Sequence, residues 1–195
     1  FAWGMAVFLL VQAALYAWNC KVIDTAMQNR MKNLLGLFVI SSLYLVATYH
    51  MTNLYFARQT AFEMFILRDG GIYPALFWGG YVLIGSLLPL ALVYLPGLGG
   101  SKSVVTASFL VIIGSFTFLY VFIIGGQAFP LSIFPGYEVS SSFGDGAYGT
   151  YTPSLPEALL GFGGLAIAYL ITLIGMRIFK TMPHDAAVVA TIKHD

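Results

Sequence analysis

The sequence predicts an all-α fold, a polytopic transmembrane helical bundle of about five spanning helices, and three observations predict it. Of its 195 residues, 59% are hydrophobic and only 9% are charged. A soluble domain of this size carries about 25% charged residues to coat its surface. The mean hydropathy is +0.85, far on the apolar side. Finally, the apolar residues are gathered into five runs, each near the roughly 20 helical residues that cross a ~30 Å hydrocarbon core.

The runs cover approximately 1–18, 34–57, 74–95, 104–124 and 157–179. The first ends at Asn19, before Lys21, Asp24, Arg30 and Lys32. Phe1 stands inside an apolar run with neither an initiator Met nor a charged leader, so this stretch does not read as a signal peptide. The chain is expected to be part of something longer. The second run keeps helical composition from Ala57 to Leu67, until Asp69-Gly70-Gly71 stops it. The third opens with Tyr73-Pro74 and carries Pro89 inside, which a spanning helix tolerates when its neighbours satisfy the freed carbonyl. A short turn, Pro96-Gly97-Leu98-Gly99-Gly100, leads to the fourth. A Gly/Pro/Ser/Tyr-rich loop over about 125–156 precedes the last; backbone of this composition cannot face lipid. The bundle is thus expected over 1–182, with a polar tail at 183–195.

Basic residues set the expected orientation. If segments 19–33, 96–103 and 180–195 face the cytoplasm, they and the adjoining helix end hold Lys21, Arg30, Lys32, Lys102, Arg177, Lys180 and Lys193. Only Arg58 and Arg68 remain opposite, a positive-inside bias. The N-terminus and the 125–156 loop are then extracytoplasmic and the C-terminus cytoplasmic. An odd number of spans starting outside fits the second half of a ten-helix protein in the cytoplasmic (inner) membrane.

Composition also excludes. A formal net charge of +1 lacks the basic patch of a nucleic-acid binder. One cysteine, Cys20, rules out a disulfide framework, an iron–sulfur cluster held by this chain alone and a Cys-based zinc site. Only one histidine, His50, lies in a span, since His184 and His194 are in the tail; bis-histidine haem ligation inside the bundle is excluded. No metal site and no catalytic residue can be assigned.

With so few charges, each intramembrane polar group calls for a reason. Ser41, Tyr44, Thr48, Thr52, Tyr55 and Gln59 recur at three- and four-residue steps, forming one stripe along the second helix. His50 and Asn53 lie on roughly the opposite face, three residues apart and therefore adjacent. They read either as a proton track or quinone-facing groups, since imidazole both donates and accepts near neutral pH, or as hydrogen-bonding glue between helices. Arg58, Glu63, Arg68 and Asp69 are expected at the outer end of the helix as local surface ion pairs, which are worth little. Ser154, Pro156 and Glu157 fit a capping box at the start of the last helix, and Glu157 could also admit protons at the membrane edge. Glu138 and Asp145 stand in the outer loop, either as a solvated cap or as part of a docking surface.

Several motifs look familiar. Tyr49-His50-Met51-Thr52-Asn53-Leu54-Tyr55, then Leu76-Phe77-Trp78-Gly79-Gly80-Tyr81 leading to Leu87-Leu88-Pro89, and Tyr151-Thr152-Pro153-Ser154-Leu155-Pro156-Glu157 resemble the NrfD/PsrC family. These are haem-free membrane subunits of respiratory complexes that exchange electrons with quinones. The block Gly126-Gln127-Ala128-Phe129-Pro130 with Phe134 to Ser142 is most similar to the DsrP branch, which belongs to the sulfite-reduction-associated DsrMKJOP complexes. The resemblance implies about ten helices in two bundles, this chain supplying the C-terminal five. It implies a quinone head in the other bundle, beneath an extracytoplasmic ferredoxin-like iron–sulfur subunit, and a proton route in this one.

The expected function is therefore that of a membrane subunit of a respiratory complex linked to sulfite or sulfate metabolism. Menaquinone or another quinone would exchange electrons with iron–sulfur, cytochrome and other membrane subunits, and no cofactor is expected on this chain alone. Two rivals stand beside it: a structural anchor without quinone chemistry, and half of a secondary transporter, for which Pro89 is the only candidate helix break.

Overall fold

The structure is a computed structural model that describes residues 1–19, 23–95, 97, 100–130, 147–149 and 151–178. The chain divides into two compact units, Phe1–Thr150 and Tyr151–Asp195. The expected tail and most of the long loop, with Glu138 and Asp145, lie outside the described residues.

Among the described residues there are helices and no strands. The first unit holds α1 (Ala2–Trp18), α2 (Thr25–Tyr55), α3 (Ala57–Met64), α4 (Ile72–Tyr94) and α5 (Ser101–Ala128); the second holds α6 (Leu155–Ile178). Four of them, α2, α4, α5 and α6, are long and apolar enough to cross a membrane. With 17 residues α1 is shorter, at the lower edge of what spanning takes. The chain is a multi-pass membrane protein.

α2 begins well before its apolar run, at Thr25. Gln28, Arg30, Met31 and Lys32 are helix formers as good as apolar ones, so apolarity marks where lipid begins and not where the helix does. α4 runs through the buried Pro89 without a break. The missing N–H falls where a π-helix, Leu76–Leu87, gives way to α-helix, Leu88–Tyr94.

The first unit has two cores. One is aliphatic and made of small residues: Ala2, Ala6 and Leu9 of α1, Leu35 and Val39 of α2, Val93 of α4, and Val104, Ala107 and Val111 of α5. The other is aromatic, centred on Phe65, Tyr73, Phe77 and Tyr81, with Val121 and Ala128 closing it. Between them α4 and α5 come into backbone contact. A Cβ on Gly85 would lie 2.5 Å from the Gly114 Cα, and one on Gly114 would lie 2.2 Å from that of Gly85. Helices in lipid associate through such small-residue contacts, because burial against lipid-like side chains gives no hydrophobic gain.

Candidate functional site

The site is created by a break. After Tyr55 the chain leaves the helix at Phe56, whose backbone is extended (φ −85°, ψ 114°), and re-enters it as α3. Thr60 ties the two ends, its hydroxyl donating to the carbonyls of Phe56 at 3.1 Å and Leu54 at 3.4 Å. In an unbroken helix, thirteen residues would separate His50 from Glu63 by about 20 Å at 1.5 Å per residue. The turn at Phe56 instead folds α3 back against α2.

As a result Glu63, with 0% exposure, sits beside His50, with 6%. The His50 Nδ1 and Glu63 Oε2 are 2.5 Å apart. Asn53 Nδ2 donates to the other carboxylate oxygen, Oε1, at 2.8 Å. This corrects the expectation for Glu63: it is not part of a surface charge group at the end of the second helix. Arg68 and Asp69 do form an exposed pair, with Nε to Oδ1 at 3.7 Å. Among the described residues, however, no Lys or Arg is paired with Glu63.

Aromatic rings wall the pair. Phe77 of α4 meets the imidazole edge-on at 4.9 Å between ring centres, and Tyr49 does so at 5.3 Å. Tyr49 in turn leans on Phe122 of α5 at 5.5 Å. Two side-chain bonds hold α4 in place around the site. Trp78 Nε1 donates to the Leu67 carbonyl at 3.0 Å, and Ser42 Oγ and Tyr81 Oη share a hydrogen bond at 3.2 Å. The turn between α3 and α4 needs Gly71, whose φ of +63° an L side chain rarely adopts.

Such a group is expensive. Removing a carboxylate from water costs several kcal/mol even after relaxation, and partner hydrogen bonds only partly offset it. Both Glu63 oxygens have partners. The His50 Nε2 has none among the described residues, although it is buried; an unmade buried hydrogen bond costs a further ~1–3 kcal/mol.

The hydroxyl stripe lies elsewhere. Ser41, Tyr44, Thr48, Thr52 and Tyr55 are all exposed, on the side of α2 away from His50; Gln59 is exposed too, but the break at Phe56 puts it in α3 and out of the stripe. Ser41, Thr48 and Thr52 each donate to the carbonyl four residues back, at 2.8 Å. In α6 the Glu157 carboxylate accepts the Ser154 backbone N–H at 2.9 Å and the Tyr151 hydroxyl at 2.7 Å. The first of these is the carboxylate half of a capping box.

Sequence reasoning found His50 and Asn53 and missed Glu63 as their partner. It also missed Phe77 and the Ser42–Tyr81 link. The one available signal was an acid between Phe62 and Met64-Phe65-Ile66, too apolar a setting for a solvated charge.

A multi-pass α-helical membrane unit with an acid–imidazole pair buried among its helices is a common setting for proton-coupled chemistry in membranes. Comparison with known proteins narrows the class. Residues 1–131, which include the whole His50–Asn53–Glu63 group, match the family described as polysulphide reductase, NrfD, and the chain belongs to that family. It is 34% identical over 114 residues to the Hdr-like menaquinol oxidoreductase integral membrane subunit of Archaeoglobus fulgidus. That alignment covers 56% of this chain and 29% of the relative, so the chain spans under a third of the relative's length. No solved structure matches it.

Proposed function

We propose that this chain is part of a quinone-interacting membrane subunit of a respiratory electron-transfer complex, exchanging electrons between a quinone pool and iron–sulfur or haem subunits. The observation that carries the reading is the buried His50–Glu63 pair inside a chain of the NrfD family. An anchor gains nothing from a carboxylate at zero exposure, whereas quinone turnover releases or consumes protons that need such groups. The name of the archaeal relative supports menaquinone as the quinone.

The finer parts rest on the sequence. The resemblance supports a place in the DsrP branch with a link to sulfite or sulfate metabolism, and the basic residues support an orientation in the cytoplasmic membrane with the N-terminus outside. A ferredoxin-like iron–sulfur subunit would dock at the loop carrying Glu138 and Asp145, with cytochrome and further membrane subunits alongside. Proton conduction through this bundle is also part of the proposal. Its candidate groups are Ser41, Tyr44, Thr48, Thr52 and Tyr55 on one face of α2, His50 and Asn53 on the other, and Glu157 at the start of α6.

The test is turnover by the purified complex that contains this chain. Reduction of a soluble electron acceptor by a menaquinol analogue, with quinone extracted in stoichiometric amount, is the expected result. A complex that holds no quinone and passes no electrons from quinol would reduce this chain to an anchor. Solute uptake into vesicles without a redox partner would make it a transporter.

A further inference from the structure

We infer that His50 and Glu63 are a proton-holding pair, loaded at His50 Nε2, and that Asn53 is the residue that positions it. The inference deepens the proposed function and rests on it for the source of the proton.

Hydrogen-bond roles lead to this assignment. Asn53 donates an N–H to Glu63 Oε1, so that oxygen acts as an acceptor. The Oε2–Nδ1 bridge of 2.5 Å then holds a single hydrogen between carboxylate and imidazole. With that hydrogen on Nδ1, neutral imidazole presents Nε2 as an acceptor. Nε2 is the one atom of the group that is both buried and without a partner among the described residues.

Taking up a proton at Nε2 changes the group's net charge from −1 to zero and makes one N–H bond. No electron moves, and the two heavy-atom hydrogen bonds stay as they are. Release reverses the step. A quinone head is a poorer candidate ligand for this atom, because Nε2 is buried and the Phe77 and Tyr49 rings stand beside the imidazole. A proton needs no such room.

The surroundings keep the charge local. α3 contributes Glu63; α4 contributes Phe77 beside the imidazole, with the tyrosines Tyr73 and Tyr81 in the same core; α5 contributes Phe122 against Tyr49. The Tyr81 hydroxyl is bonded to Ser42. Among the described residues no second acid or base pairs with the group, so its charge state changes by one proton at a time.

The experiment is infrared difference spectroscopy on the complete complex in vesicles. Histidine is isotope-labelled and His184 and His194 are replaced by Asn, so that His50 alone carries the label in this chain. Spectra are recorded after a pH jump and, separately, during quinol oxidation. Labelled imidazole-to-imidazolium bands are expected in both. In Glu63→Gln the carboxamide oxygen still accepts from Asn53, but its amide nitrogen faces Nδ1, which must then accept. The hydrogen moves to Nε2, and the labelled bands should fall at least tenfold. In Asn53→Ala, which leaves the bridge in place, the pH midpoint of the bands should move by one unit or more, a tenfold change in proton affinity.

Labelled bands missing from the parent complex, or equally strong in Glu63→Gln, overturn the pair. An unmoved midpoint in Asn53→Ala overturns the role of Asn53. The pH-jump spectrum needs no quinone, so a complex that shows the bands but does not oxidise quinol defeats the proposed function alone.

Discussion

The two cores of the first unit are built on opposite principles. The aliphatic core fills space: Ala6 and Ala107 are fully buried, and Val104, Val111, Leu35 and Val39 interlock around them. Among the described residues its directional contacts are few: Gln12 Nε2 reaches no better partner than the Met27 sulfur at 4.0 Å, and Ser108 Oγ donates to the Val104 carbonyl of its own helix at 2.9 Å. The aromatic core is directional. Rings meet at set angles, Trp78 and Tyr81 donate to or share specific bonds, and the centre holds a carboxylate. Lipid-facing helices can be held by shape alone. A directional core with a buried acid gives up stability, and the proposed proton chemistry is placed there for that reason.

Breaking the directional core should cost most. Glu63→Ala leaves the His50 Nδ1–H and the Asn53 amide facing a void without their acceptor, and each buried donor left unpaired costs ~1–3 kcal/mol. Unfolding titrations of the complex in mixed micelles should show this loss, with Glu63→Gln well below it. Equal losses for both variants would mean that shape, not hydrogen bonding, holds this core as well.

The seam between the cores ranks next. Gly114→Leu drives a side chain into the backbone of Gly85, which cannot move aside as a flexible side chain could. Overpacking of this kind costs ~1–3 kcal/mol. At Gly36 a Cβ would meet the Tyr94 ring, 2.3 Å from its hydroxyl, and that side chain can swing away. Gly36→Ala should therefore be milder in the same titration. If the two rank the other way, backbone contact is not what joins α4 to α5.

What the sequence made legible follows the same division. Its apolar runs located the helices of both cores, and the three-residue step placed His50 beside Asn53. The stripe of hydroxyls did fall on one face, because that too depends only on helical period. Glu63 was illegible because its position depends on a break at Phe56 that no Gly or Pro marks. Tyr55-Phe56-Ala57 reads as continuing helix. The turn is held by the Thr60 hydroxyl on the Phe56 and Leu54 carbonyls and by Phe65 and Ile66, buried in one core with residues of α4 and α5. The apolar run at 34–57 does not mark the start of α2 at Thr25 for a simpler reason: polar residues end a membrane crossing without ending a helix.

A smaller effect sharpens the contrast within the directional core. Tyr81→Phe keeps the ring against Phe118, at 4.6 Å between centres, and removes the hydroxyl that bonds Ser42. A net hydrogen bond is worth about 1 kcal/mol, so the unfolding free energy should fall by about that much, with the labelled His50 bands unchanged. A loss of those bands would show that Tyr81 belongs to the proton group and not only to its frame.

The smallest effect belongs to the exposed face of α2. Thr48 lies midway along the stripe from Ser41 to Tyr55, which spans about 21 Å at 1.5 Å per residue. A hydroxyl relay needs each group to donate forward and accept from behind. Thr48 gives its hydrogen to the Tyr44 carbonyl of its own helix at 2.8 Å, and Ser41 and Thr52 do likewise. To conduct, these hydroxyls would have to leave those bonds in turn. Thr48→Val keeps the side chain's shape, so the expected packing loss is no more than about 0.6 kcal/mol, the mean for a hydrogen bond between membrane helices. Proton release per quinol in reconstituted vesicles should change far less than in Glu63→Gln. If instead Thr48→Val and Tyr44→Phe abolish proton release while Glu63→Gln leaves it intact, the hydroxyl stripe is the carrier and the buried pair is structural.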